Sequence, residues 1–189
     1  LRSSSAASDV YKRQPLEQAE TFEVYPNRDS LPFLRDYKFD PAWKVKDFVR
    51  GTLRLNGWSR AWKDIFKEIE GLSGKAGDTR LEKMSDQFWS ENAYDKNEPD
   101  RVVLCVSLNA TMQNSTKWHK TFVMDAWGDT EGSAMSRLVS QPVSLAVEAV
   151  LEGKLEAGVQ AAPNDIKIVD DWLAKIHNLA QYLKVIHHN

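Results

Sequence analysis

The residue pattern points to an α/β (α+β) fold: a mixed, mainly antiparallel sheet with helices packed on one face. Three observations carry this. Residues 101–110 and 118–127 are rich in β-forming side chains and flank Gln113-Asn114-Ser115-Thr116, the pattern of a hairpin with a loop of moderate length. Trp58, Trp62, Ile65, Phe66 and Ile69 recur at three-four spacing, which places them on one face of a helix. Ile166, Val169, Leu173 and Ile176 repeat that spacing, with Trp172 beside them. No internal repeat appears, and the strands are separated by both a hairpin and helices.

The elements follow in order. Residues 1–14 read as the conceptual translation of a sequencing adapter fused to an open reading frame. They are expected to carry no order, so the domain is assigned to 15–189. Residues 21–25 read as a short strand closed by Pro26-Asn27. An irregular stretch through Pro32 and Pro41 leads to a long strand within 44–56, broken by Asn56-Gly57. A helix over 58–70 stops at Gly71, and the Gly/Ser/Lys-rich 72–77 reads as loop. A further helix fits 80–91, with Leu81, Met84, Phe88 and Trp89 inward, and 71–100 as a whole reads as a variable insert. After the hairpin, 132–152 reads as helix with a kink or fresh start at Pro142. Residues 158–162 fit a short strand, 165–180 a helix, and 182–186 a closing strand.

Composition narrows the classes of function. The 189 residues are 42% hydrophobic with seven Trp, enough for a core, and the formal net charge is −2. Without a basic block, nucleic acid is not an expected partner. The longest apolar runs are too short to span a membrane. Cys105 is the one cysteine, so no internal disulfide can form, which fits a reducing, cytoplasmic setting. It lies in an apolar run and reads as a buried thiol, not a nucleophile. His119, His177, His187 and His188 show no metal-ligand spacing, and His187-His188 reads as a solvated terminus. Asp170-Asp171 and Asp36/Asp40 read as solvated faces. No triad, acid–base dyad or metal set emerges, so the catalytic residues stay unassigned.

The chemically informative residues lie in two short motifs, Tyr25-Pro26-Asn27-Arg28-Asp29-Ser30 and Arg50-Gly51-Thr52-Leu53-Arg54. In an extended chain side chains alternate, so Arg50, Thr52 and Arg54 share a face while Val49, Leu53 and Leu55 take the other. A hydroxyl between two guanidinium groups suits a ligand with several carboxylates, because arginine offers a fixed fork of donors. A lone surface-strand arginine mostly solvates its sheet.

These motifs, with Gly57-Trp58, Ser136-Arg137-Leu138-Val139, Pro142, Leu151-Glu152-Gly153-Lys154 and the segment 158–163, resemble the C-terminal part of the saccharopine dehydrogenases. The resemblance covers roughly residues 20–188 and is weakest in the middle third. It implies an NAD(P)-dependent dehydrogenase acting on a CH–NH group. The reaction would convert saccharopine to glutamate and 2-aminoadipate semialdehyde, or the reverse, in lysine metabolism. It also implies that Arg28, Thr52, Leu53 and Arg54 contact the substrate, and that a homodimer forms. The chain has no Gly-x-Gly-x-x-Gly after a strand. NAD or NADP is therefore expected on an N-terminal Rossmann domain that this fragment lacks. Arg50 is expected to support the site or to pair with Asp29 or Asp47. A carboxynorspermidine dehydrogenase-like enzyme of polyamine synthesis and a non-enzymatic dimerisation or ligand-binding domain are the competing readings.

Overall fold

The computed structural model describes residues 11–13, 20–27, 29–112 and 117–188. Among the described residues, five helices and two small antiparallel sheets bear out the expected fold class, with two sheets in place of one. The first sheet has the order β1-β2-β3, from β1 (Tyr11–Arg13), β2 (Phe22–Pro26) and β3 (Gly51–Leu55). The second has the order β4-β5-β6, from β4 (Arg101–Thr111), β5 (Lys117–Trp127) and β6 (Tyr182–His188). Between β2 and β3 lies the short α1 (Pro32–Asp36); between β3 and β4 lie α2 (Trp58–Glu70) and α3 (Gly74–Asn92). Helices α4 (Ala134–Leu151) and α5 (Ile166–His177) separate β5 from β6. The helical pair α2–α3 separates the two sheets in sequence.

The core gathers on β5 and α4. Val123 and Ala126 are fully buried, and Met124 is nearly so, as expected for the central strand of three. Leu145 and Ala149 of α4 are buried at i, i+4 spacing, and Ala134 is buried at its first turn. The two sheets are tied by Arg101 of β4. It forms a two-pronged bond to Asp125 of β5 (2.8 and 2.8 Å) and another to Glu20 just before β2 (3.0 and 2.7 Å).

Several boundaries differ from the sequence reading. The strand expected within 44–56 shrinks to β3. Its partner β2 ends at Pro26, opposite Gly51, and the Arg50 N–H is taken by the Ser30 hydroxyl (2.9 Å) instead of a ladder carbonyl. Helix α3 begins six residues earlier than expected, inside the stretch read as loop. Gly77 is buried there, close against Leu72, so it serves packing and not flexibility. Met84 is buried as expected, but Leu81 is 39% and Trp89 78% exposed. Helix α4 runs through Pro142 as one element. No strand forms over 158–162: Gly158 takes a positive φ of 118° and Val159 is fully exposed. Ile166 and Leu173 of the α5 stripe are also exposed. Tyr11–Arg13 pair with β2, within the span expected to carry no order; residues 1–10 and 14 lie outside the described residues. The hairpin turn 113–116 does so too.

Candidate functional site

Strands β2 and β3 bring the two motifs together. Antiparallel pairing sets Tyr25 opposite Thr52, Glu23 opposite Arg54 and Val24 opposite Leu53. The contact continues past the ladder: Asn27 N–H donates to Arg50 O (2.8 Å), and Arg50 N–H donates to the buried Ser30 hydroxyl. Gly51 keeps this crossing close. A Cβ there would stand 2.6 Å from Val24 Cγ1 and 3.1 Å from Tyr25 O, so the Val24 side chain would have to shift and the strands to give slightly.

Arg54 projects from β3 on the same face as Thr52, as the alternation predicts, and is exposed. Its guanidinium carbon lies 5.9 Å from the Tyr25 ring centre and 5.8 Å from that of Trp58. One terminal nitrogen donates to the Tyr25 hydroxyl at 3.4 Å. Among the described residues Arg54 has no carboxylate partner, so most of its five N–H donors are unspent. The Tyr25 phenol is held below its ordinary value of 10. Donation from Arg54 is the main cause, opposed by burial and assisted by the Thr52 hydroxyl and by the charge of Arg54.

The aromatic floor beneath this arginine comes from α2. Tyr25 and Trp58 stack with ring centres 5.1 Å apart and planes 9° from parallel. Trp58 continues into Trp62 and Phe66, and Trp62 reaches Phe88 of α3. The helix is anchored by a residue far away in sequence. The buried Glu23 carboxylate accepts from Gly57 N–H (2.6 Å) and Ser59 N–H (2.8 Å), filling the role a local capping side chain would play. Gly57 itself sits at φ 91°, a conformation glycine adopts without steric cost, and so turns the chain from β3 into α2.

The other residues singled out in sequence fare differently. Thr52 and Leu53 are half-buried on opposite faces of β3. Arg28 lies outside the described residues, although its neighbours Asn27 and Ser30 are tied to Arg50. Arg50 pairs with neither Asp29 nor Asp47; its guanidinium stacks 3.7 Å above the Phe33 ring. Asp29 is occupied with the Leu31 N–H. Cys105 is half-buried. His187 and His188 are exposed, as a solvated end is, while both are paired in β6. His188 stacks on His119 (3.9 Å), and the two rings bond the hydroxyls of Thr121 and Ser107. Arg137, in the Ser-Arg-Leu-Val motif, is committed to structure through Asp129 (3.0 Å) and Trp127 O (2.8 Å). Sequence reasoning passed over Tyr25 and Trp58 as site residues. The available signal was the register that sets Tyr25 opposite Thr52.

A family profile described as saccharopine dehydrogenase C-terminal domain matches residues 2–179. Among solved structures, the chain is similar to apo histidine-tagged saccharopine dehydrogenase (L-Glu forming) from Saccharomyces cerevisiae. The two superpose with a TM-score of 0.73 at 18% identity, over 97% of this chain and 55% of the yeast chain. At that identity the likeness shows a shared fold. The chain spans little more than half the length of that structure.

Proposed function

The chain belongs to the saccharopine dehydrogenase family, matching its C-terminal domain, and from that premise we propose that it supplies the carboxylate grip of an NAD(P)-dependent oxidoreductase. The substrate would be saccharopine, a secondary amine with three carboxylates. The reaction would be its oxidation to L-glutamate and 2-aminoadipate semialdehyde, or the reverse, in cytoplasmic lysine metabolism. The observation that carries this reading is Arg54: an exposed guanidinium with no carboxylate partner among the described residues, beside Thr52, in a strand fastened to the Tyr25–Ser30 motif. In this reading Arg54 and Arg28 hold carboxylates, Thr52 adds a hydrogen bond and Leu53 lines the site. Such positioning gains rate without a nucleophile, by fixing the reacting carbon in one geometry.

A nicotinamide cofactor would accept or return the hydride. The sequence has no Gly-x-Gly-x-x-Gly motif, and in this reading the cofactor would be held by a domain outside this chain. The reading also includes a homodimer. Its support is the exposed row Met135, Val139, Val143 and Val147 on α4, an apolar face of the kind that association covers.

The test is kinetic. Losing a desolvated carboxylate contact costs on the order of 2–5 kcal/mol. In the full-length enzyme, Arg54→Ala and Arg28→Ala should each raise the KM for saccharopine at least tenfold (about 1.4 kcal/mol) and leave the KM for cofactor near normal. Wild-type saccharopine kinetics in both variants would remove the assignment.

A further inference from the structure

We infer that Tyr25 is the positioning residue of this site: its hydroxyl and ring orient the Arg54 guanidinium towards a carboxylate. The inference rests on the assignment of Arg54 to substrate. Four observations carry it. The Tyr25 hydroxyl is the hydrogen-bond acceptor that Arg54 meets. Thr52 lies directly opposite Tyr25 in the ladder, so the phenol shares its face with both polar side chains of β3. The Tyr25 ring is fixed by its stack on Trp58, and Arg54 sits almost equidistant from the two rings. Trp58 in turn is fixed because Glu23, two residues before Tyr25 on the same face of β2, anchors the first turn of α2.

The physical consequence is preorganisation. An exposed arginine on a strand explores many rotamers, and ordering it on binding costs free energy. Here the guanidinium rests against aromatic faces, an attraction available without a counter-charge. The phenol occupies one N–H and leaves the rest of the fork for a bidentate carboxylate. The protonated hydroxyl can accept from Arg54 and still donate its own hydrogen, so it can offer the bound carboxylate a further bond.

The test is a double-mutant cycle in the full-length enzyme with saccharopine as substrate. Tyr25→Phe keeps the stack and removes only the hydroxyl. It should raise the KM for saccharopine about threefold to tenfold, the range for one ordinary hydrogen bond, with kcat and cofactor KM unchanged. In the Arg54→Ala background the same substitution should add almost nothing, because the residue it orients is gone. Wild-type KM in Tyr25→Phe, or an effect that adds in full to that of Arg54→Ala, overturns the inference while leaving the Arg54 assignment standing. Wild-type KM in Arg54→Ala overturns both.

Discussion

Arg54 and Arg101 lie on neighbouring sheets and have opposite surroundings. Arg101 is saturated. Two carboxylates take its forked donors at 2.7–3.0 Å, and Trp127 lies 4.9 Å from its guanidinium carbon. Hydrogen bonding to Asp125 and then to Glu20 raises its pKa above the usual arginine range, so it stays charged throughout any working pH. Arg54 has the same chemistry with one long hydrogen bond to a neutral phenol and two aromatic faces. The first residue joins the sheets. The second keeps its donors open towards solvent. If Arg54 meets a ligand as proposed, what separates it from the structural Arg101 is the supply of carboxylates among the described residues.

The sharpest way to break this contrast is to remove each arginine and measure stability and binding together. Arg101→Met leaves Glu20 and Asp125 half-buried without a counter-charge. Urea unfolding should show a loss of about 3 kcal/mol, at the low end for breaking a buried pair because Glu20 keeps 33% of its side chain exposed. Arg54→Ala should leave the unfolding free energy within about 0.5 kcal/mol of wild type while saccharopine binding falls. An Arg54 variant as destabilised as Arg101→Met would merge the two classes.

A smaller effect is expected where the motifs cross. Gly51→Ala places a methyl against Val24 and the Tyr25 carbonyl, an overpacking that costs about 1–3 kcal/mol. Thermal melting should show the drop.

Smaller still is the titration of Tyr25. Ultraviolet absorbance should find one phenol ionising below 10 in the wild type, and Arg54→Ala should move it back up. A depressed folded pKa adds stability fully present above the unfolded value and lost as pH falls through the folded one. The window therefore lies near and below pH 10, and nothing is contributed at neutrality. The least effect should come from Arg80→Ala. Its 2.6 Å pair with Glu68 joins α2 to α3 in full solvent, so the melting temperature should barely move.

How much of this was legible depended on whether the deciding contacts were local. The bounds of α2 could be read because its three-four apolar spacing and the flanking Gly57 and Gly71 all lie within one window. The hairpin β4–β5 was equally plain. The start of α3 was not, because Gly74 and Gly77 carry the composition of a loop while packing against Leu72 decides the outcome. The end of β3 was set by a serine hydroxyl twenty residues upstream, and the cap of α2 by a glutamate 34 residues away. At the site, the alternation rule placed Thr52 and Arg54 correctly on one face. It was silent on Tyr25 and Trp58, whose part depends on cross-strand register and on the angle at which a helix leaves the sheet.

An unsatisfied cation at the surface does not choose its anion by name. Citrate and phosphate are polyanions of the right size to settle on the Arg54 fork, where backbone and phenol hold it ready. Affinities measured in such buffers would read low through simple competition, and the discrepancy against a zwitterionic buffer would itself gauge how open that fork is.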